Sequence, residues 1–353
     1  MSSRVLGVVG VGLIGGSIGM AARRAGWKVV GVDSADTLDL AIRLGAIDRG
    51  AALSAVRTAD LVVLAAPVSR IPELLMALDP TEAVVTDVGS AKAAIVRGAE
   101  QTGIRRFVGG HPMAGSQLAG VANASPDLLR GARYLLTPTG DTLPEAYALV
   151  TQFVRDDLGA LPTAVDPERH DLLVAALSHL PHLLAVALLQ VTSGISPEAL
   201  ALAGPSFRDL TRVGAANPPL WADILAENSE AVREVLASFT EAMRRLDHDI
   251  EDRPAIERHF LAAGAAYEAL GGILVERTGR NVDIAVLIEN RPRVLAEVTT
   301  LMGSGDINIL DLYMQHSDTR HAALVLTIDA AAAERALQSL RAAGFHAEVG
   351  GPG

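Results

Sequence analysis

The chain has 353 residues, half of them hydrophobic, with a formal net charge of −11 and no cysteine. That length supports two or three domains with cores of their own. The acidic balance and the lack of a basic cluster exclude nucleic acid and anionic membrane as partners, and no unbroken apolar run is long enough to span a bilayer. With no cysteine there are no disulfides, thiolate metal sites or thiol nucleophile, which suits a reducing cytoplasm.

Val5 to Val9 reads as a buried strand, and Gly10, Gly12 and Gly15 form a G-x-G-x-x-G turn that opens a helix at Leu13 and Ile14. A second strand, Val29 to Val32, ends on Asp33. Each part suits a bound dinucleotide. Gly10 permits the tight turn, Gly12 lets the backbone approach a pyrophosphate, and Gly15 lets the helix lie close on the sheet. The free N–H groups of the helix start face the phosphates. Asp33 suits the adenosine ribose hydroxyls, and Ser34-Ala35-Asp36 offers no arginine for a 2′-phosphate, which points to NAD rather than NADP. Arg4 before an apolar stretch also fits a signal peptide, but the glycines and the strand ending on Asp33 favour a folded domain.

Further strand patterns follow at Asp60–Ala65, Ala83–Thr86, Arg106–Gly109, Arg133–Thr137 and Leu161–Val165, with helical stretches between them. This alternation predicts a doubly wound Rossmann-type parallel sheet over residues 1–165. Ligands on such sheets sit beyond the carboxyl ends of the strands. Two segments there carry candidate chemistry. In Asp87-Val88-Gly89-Ser90-Ala91-Lys92, Ser90 either caps the following helix or faces the nicotinamide, and one hydroxyl can do both. In Gly109-Gly110-His111-Pro112-Met113-Ala114-Gly115-Ser116, a histidine fixed by proline stands at a strand end. Its neutral imidazole can take a proton from a hydroxyl undergoing oxidation.

At Asp166-Pro167 the pattern changes, with Asp166 as N-cap and Pro167 at the first helical position. From there to 278 the chain reads as an all-α domain. One long helix carries the stripe Val232, Val235, Leu236, Phe239, Met243 and Leu246. The helices of this domain carry many small apolar residues that call for packing against each other and against a second subunit, and a homodimer is the expected state. Residues 281–353 read as βαββαβ, a small ferredoxin-like unit, with strands Val282–Ile288, Ile307–Tyr313, Ala322–Ile328 and His346–Val349. Its helices are expected at Pro292–Met302, started by the proline, and at Ala331–Ala343; Arg277–Arg280 is the linker before it.

Five motifs in order then resemble the prephenate dehydrogenase family of tyrosine biosynthesis over residues 4–275. They are Gly12-Leu13-Ile14-Gly15-Gly16-Ser17, the Asp87–Lys92 segment, the Gly109–Ser116 segment, Ser178-His179-Leu180-Pro181-His182, and Phe207-Arg208-Asp209-Leu210-Thr211-Arg212 followed by Asn217-Pro218 and Trp221. The resemblance implies His111 as acceptor for the substrate's ring hydroxyl, with Ser90 helping to orient it. It implies Arg212 as carboxylate binder, with His179 and Ser116 lining the substrate site. His179 and His182, three apart, offer a metal pair, but no carboxylate stands at supporting spacing and the reaction requires no metal. His182 reads instead as a half-buried structural residue, and Pro181 should kink its helix. Arg212 with Asp209 could equally form a helix-surface ion pair.

The C-terminal Glu289–Val298 segment with Asp306-Ile307-Asn308-Ile309 resembles the ACT regulatory domain, which implies an amino-acid effector such as tyrosine. Many of these domains carry glycine where this chain has Arg293. Three rival functions remain open. Arogenate dehydrogenase shares the motifs. A 3-hydroxyacid dehydrogenase would place a lysine on the interdomain helix, where Asp171–Gln190 has none. A non-catalytic sensor of NAD and an amino acid would have no use for His111.

Overall fold

The computed structural model describes residues 4–114, 118–196, 198–276, 281–289, 291–316 and 321–349. By packing, the chain divides into two units, Met1–Met243 and Arg244–Gly353. The expected linker Arg277–Arg280 lies outside the described residues.

The first unit is built on eight strands: β1 (Val5–Val9), β2 (Lys28–Val32), β3 (Arg49–Gly50), β4 (Leu61–Leu64), β5 (Val84–Asp87), β6 (Phe107–Pro112), β7 (Arg133–Thr137) and β8 (Leu161–Ala164). They form one sheet in the order β3-β2-β1-β4-β5-β6-β7-β8, parallel except where β7 pairs antiparallel with β6. β3, only two residues long, has no hydrophobic period and escapes a sequence reading. Alternation along each strand sends side chains to opposite faces, so the sheet needs two cores. Leu6, Val8, Leu61 and Val63 enter one with Ile18, Trp27 and Phe153. Val9, Val62, Leu64 and Val85 enter the other with Ile71, Leu75 and Ile95. The strand order reverses between β1 and β4, and that reversal opens the crevice in which such sheets hold ligands.

Asp166 caps the next helix as the sequence predicts: its carboxylate accepts from the N–H groups of Glu168 and Arg169, with Pro167 at the first helical position. The helix continues to Ile195 through a π turn at Ala175–His179. That wider turn lies just where Pro181 has no N–H to return to Leu177, so the backbone absorbs the proline by widening. By length and composition this helix could cross a bilayer, contrary to the sequence reading. Ser178, His179, Pro181 and His182 interrupt its apolar run without adding formal charge. The expected long helix spans Ser229–His248.

In the second unit, β9 (Asn281–Glu289), β10 (Ile309–His316), β11 (His321–Asp329) and β12 (His346–Val349) pair antiparallel in the order β10-β11-β9-β12. With helices Val294–Ser304 and Ala333–Ala342 this is the expected βαββαβ order. One face is filled by Ile284, Val286, Val298, Met302, Leu324, Leu326 and Leu340. The first helix starts at Val294 rather than Pro292, because Arg293 takes a left-handed conformation with φ of 74°. That conformation crowds Cβ in any residue but glycine. Arg293→Gly is therefore expected to stabilise this unit by up to about 1 kcal/mol in chemical denaturation. A loss of stability would show that the Arg293 side chain supports the turn.

Candidate active site

The glycine turn is built as its residue types require. Gly10 has φ of +90°, and a Cβ on it would stand 2.5 Å from the Ala65 carbonyl oxygen. A Cβ on Gly15 would collide with the Gly10 carbonyl oxygen, so this glycine sets how closely the helix approaches the sheet. A Cβ on Gly12 would meet no protein atom within 4 Å. Its backbone therefore faces open space at the start of helix Leu13–Arg24, where Leu13 and Ile14 form the first turn and unpaired N–H groups can receive phosphate. Asp33 is exposed at the end of β2. Its two oxygens accept from Val11 N–H and Ser34 N–H at 2.7 Å each, which leaves lone pairs for ribose hydroxyls. Open Gly12, the helix start and the pinned acid all fit NAD.

His111 lies inside β6 rather than in a loop after it, opposite Leu135 of β7, so ladder bonds fix its backbone. Its Nδ1 stands 3.0 Å from His170 Nε2, and His170 Nδ1 stands 2.8 Å from Asp171 Oδ1. Asp171 also accepts from the N–H groups of Lys92 at 2.7 Å and Ala93 at 2.9 Å, the start of helix Ala93–Thr102. Asp171, and not Ser90, thus caps that helix. The Ser90 hydroxyl is buried and has no hydrogen-bond partner among the described residues.

Beneath the imidazoles, the fully buried Asp87 and Lys92 form an ion pair. Asp87 also accepts from Gly89 N–H and Gly110 N–H, and Lys92 donates to the Gly110 carbonyl at 2.9 Å. This cluster clamps the strand residue next to His111. Burial first, then the neighbouring His170, Lys92 and His179, holds His111 well below the ordinary imidazole pKa, so it is neutral near pH 7.

His179 is buried beside Asn228, whose side-chain amide donates to the Asp171 carbonyl at 2.9 Å and lies 3.3 Å from His179 Nδ1. Trp221 stands edge-on to His179, with ring centres 5.9 Å apart, and stacks on His182 at 3.7 Å. His182 is half-buried and donates from Nδ1 to the Ser178 carbonyl. The Trp221 helix, Pro218–Glu227, packs on the Val68–Arg70 turn that follows β4, which brings this histidine group to the carboxyl edge of the sheet.

Arg212 begins the turn after helix Pro205–Thr211 and is exposed; it makes no ion pair with Asp209 or any other described residue. Its turn seats Gly214 against Ala185 and Leu189 of the long helix. No hydrogen bond joins it to His111 or His179. Ser116 lies outside the described residues. No group of three or more metal-binding side chains occurs among the described residues.

Burial, opposed by Asp171, lowers the His179 pKa to about 4. An unfolded histidine binds a proton below about pH 6.5, while the folded one refuses it until about 4. Its contribution to stability is therefore complete above that range and lost as pH falls through it. The melting temperature is expected to fall more steeply between these limits in the wild type than in His179→Gln. Equal slopes would contradict this placement.

Residues 18–161 match the prephenate dehydrogenase nucleotide-binding domain, and residues 166–260 match the prephenate dehydrogenase dimerization domain. The chain is 32% identical over 327 residues to a prephenate dehydrogenase of Bacillus subtilis, with 86% of each chain covered. Among solved structures it is similar to Synechocystis arogenate dehydrogenase, with TM-score 0.68 and 34% identity over 75% of this chain and 99% of that one. It is similar too to prephenate dehydrogenase from A. aeolicus in complex with hydroxyphenyl propionate and NAD+. There the TM-score is 0.67 and the identity 32%, over 79% of this chain and 99% of that one. Fold, dinucleotide turn, histidine group and these likenesses agree, and the chain belongs to the prephenate dehydrogenase family.

Proposed function

We propose that this chain oxidises prephenate to 4-hydroxyphenylpyruvate and CO₂, with His111 as the acceptor for the substrate hydroxyl. The observation that carries this reading is the partly buried, neutral imidazole of His111 at the same edge of the sheet as the open Gly12 turn. NAD, when bound, supplies the hydride acceptor at its nicotinamide. The protein's part is alignment and charge. As hydride departs C4 of the ring, positive charge grows there and the hydroxyl becomes acidic, so a weak base suffices to take up its hydrogen. His111 accepts that hydrogen and returns it to the phenol oxygen once the C1 carboxylate has left as CO₂ and the ring is aromatic. No net proton is gained or lost.

The substrate is a dianion, and its leaving carboxylate must stay ionised. Arg212 meets both needs, since a guanidinium binds a carboxylate with two parallel bonds and keeps its proton. It has no ion-pair partner among the described residues, which leaves it available to do so. Ser90, His179 and Ser116 are assigned to orient the ring. We assign the exposed apolar side chains of the long helix and its surroundings, Val191, Ile195 and Leu202 among them, to a second copy of the chain in a homodimer. Tyrosine is assigned to the polar cavity of the C-terminal unit beside Arg291 and Glu297. A cytoplasmic setting accords with the cysteine-free composition.

A steady-state assay of the purified protein tests the reading, with prephenate or arogenate, NAD or NADP, and tyrosine present or absent. Turnover of prephenate with NAD is expected to dominate, and preference for arogenate would move the substrate assignment. His111→Asn should lower kcat by about 10²–10⁴-fold with little change in KM. Arg212→Gln should raise the substrate KM by about 10–100-fold. Wild-type turnover in the first, or wild-type KM in the second, would remove that residue from its role.

A further inference from the structure

The carboxylate of Asp171 has no proton to give, so the 2.8 Å contact with His170 Nδ1 requires that nitrogen to donate. With one proton on that imidazole, His170 Nε2 carries a lone pair. It stands 3.0 Å from His111 Nδ1, which must then be the donor. The direction set at Asp171 thus passes through two rings and leaves the lone pair of His111 on Nε2, the nitrogen that bonds to no described residue. We propose that His170, fixed by Asp171, is a positioning residue that holds His111 in the tautomer able to accept the substrate's hydrogen.

Three features make this more than a close contact. His170 is fully buried, so water does not compete for either of its nitrogens. Asp171 cannot rotate away without uncapping helix Ala93–Thr102, because both of its oxygens hold backbone N–H groups there. The backbone of His111 is fixed as well, by β7 on one side and by the Asp87–Lys92 clamp on Gly110 on the other. When His111 takes up the hydrogen and becomes cationic, the same line of bonds presents the Asp171 charge to it. A histidine without such a line divides between two tautomers, and only one of them offers Nε2 as acceptor.

The role rests on His111 being the acceptor, and the test separates the two claims. His170→Leu removes the line while keeping an apolar side chain. It is expected to lower kcat by about 10–100-fold while the KM values for substrate and NAD stay within a few-fold. His170→Gln presents an amide oxygen towards His111 Nδ1 and should recover most of that loss. The nitrogen-15 spectrum of histidine-labelled protein should show His111 protonated at Nδ1 and bare at Nε2 in the wild type, whether or not the enzyme turns over. The proposal is overturned if Nε2 carries the proton, if His170→Leu keeps wild-type kcat, or if Gln is as damaging as Leu in a folded protein. A dead His111→Asn beside a fully active His170→Leu would sink this inference alone. An active His111→Asn would sink the function it rests on.

Discussion

One carboxylate joins the two parts of the site. Asp171 stands near the start of the long helix, and its oxygens close the exposed end of helix Ala93–Thr102 on the sheet. A carboxylate at a helix N-terminus satisfies orphan N–H groups and meets the positive end of the helix dipole. The same side chain accepts from His170, and His170 meets His111. A capping interaction that would stabilise any helix is here also the support of the proposed acceptor. It is one of several polar ties on the long helix, beside the His170 contact to His111 on β6 and the Arg97–Glu168 ion pair.

The electrostatics follow from what is buried. Burial disfavours a cation on His111 and on His179, and both are held neutral near pH 7. Lys92, the one fully buried cation among the described residues, is matched by Asp87 and by the Gly110 carbonyl, so its charge goes to structure. Arg212, by contrast, is exposed and has no ion-pair partner among the described residues. Under the proposed assignment, a carboxylate would meet neutral imidazoles and the Arg212 guanidinium, which binds it without protonating it.

What could be read in the sequence was what is local. The glycine turn, the acid ending β2 and the Asp166-Pro167 helix start each depend on residues within a turn or a strand of one another. His111 was legible because proline and glycine flank it at a strand end. Asp171 and His170 were not legible, because their partners lie 79 and 59 residues away in the chain. Ser90 has the right residue type for a cap beside helix Ala93–Thr102, and Asp171 displaced it from that role by arriving from the other side of the fold. Arg293 shows the converse. Pro292 is a sound helix start on local grounds, yet the left-handed turn at Arg293 moves the start to Val294.

The most direct measurement is a double-mutant cycle in kcat between Asp171→Ala and His170→Leu. If the carboxylate acts on His111 through the buried imidazole, the double variant is no slower than the worse single one, because either change already breaks the line. Losses that multiply would mean two independent supports, and the single line of bonds from helix cap to acceptor would be contradicted.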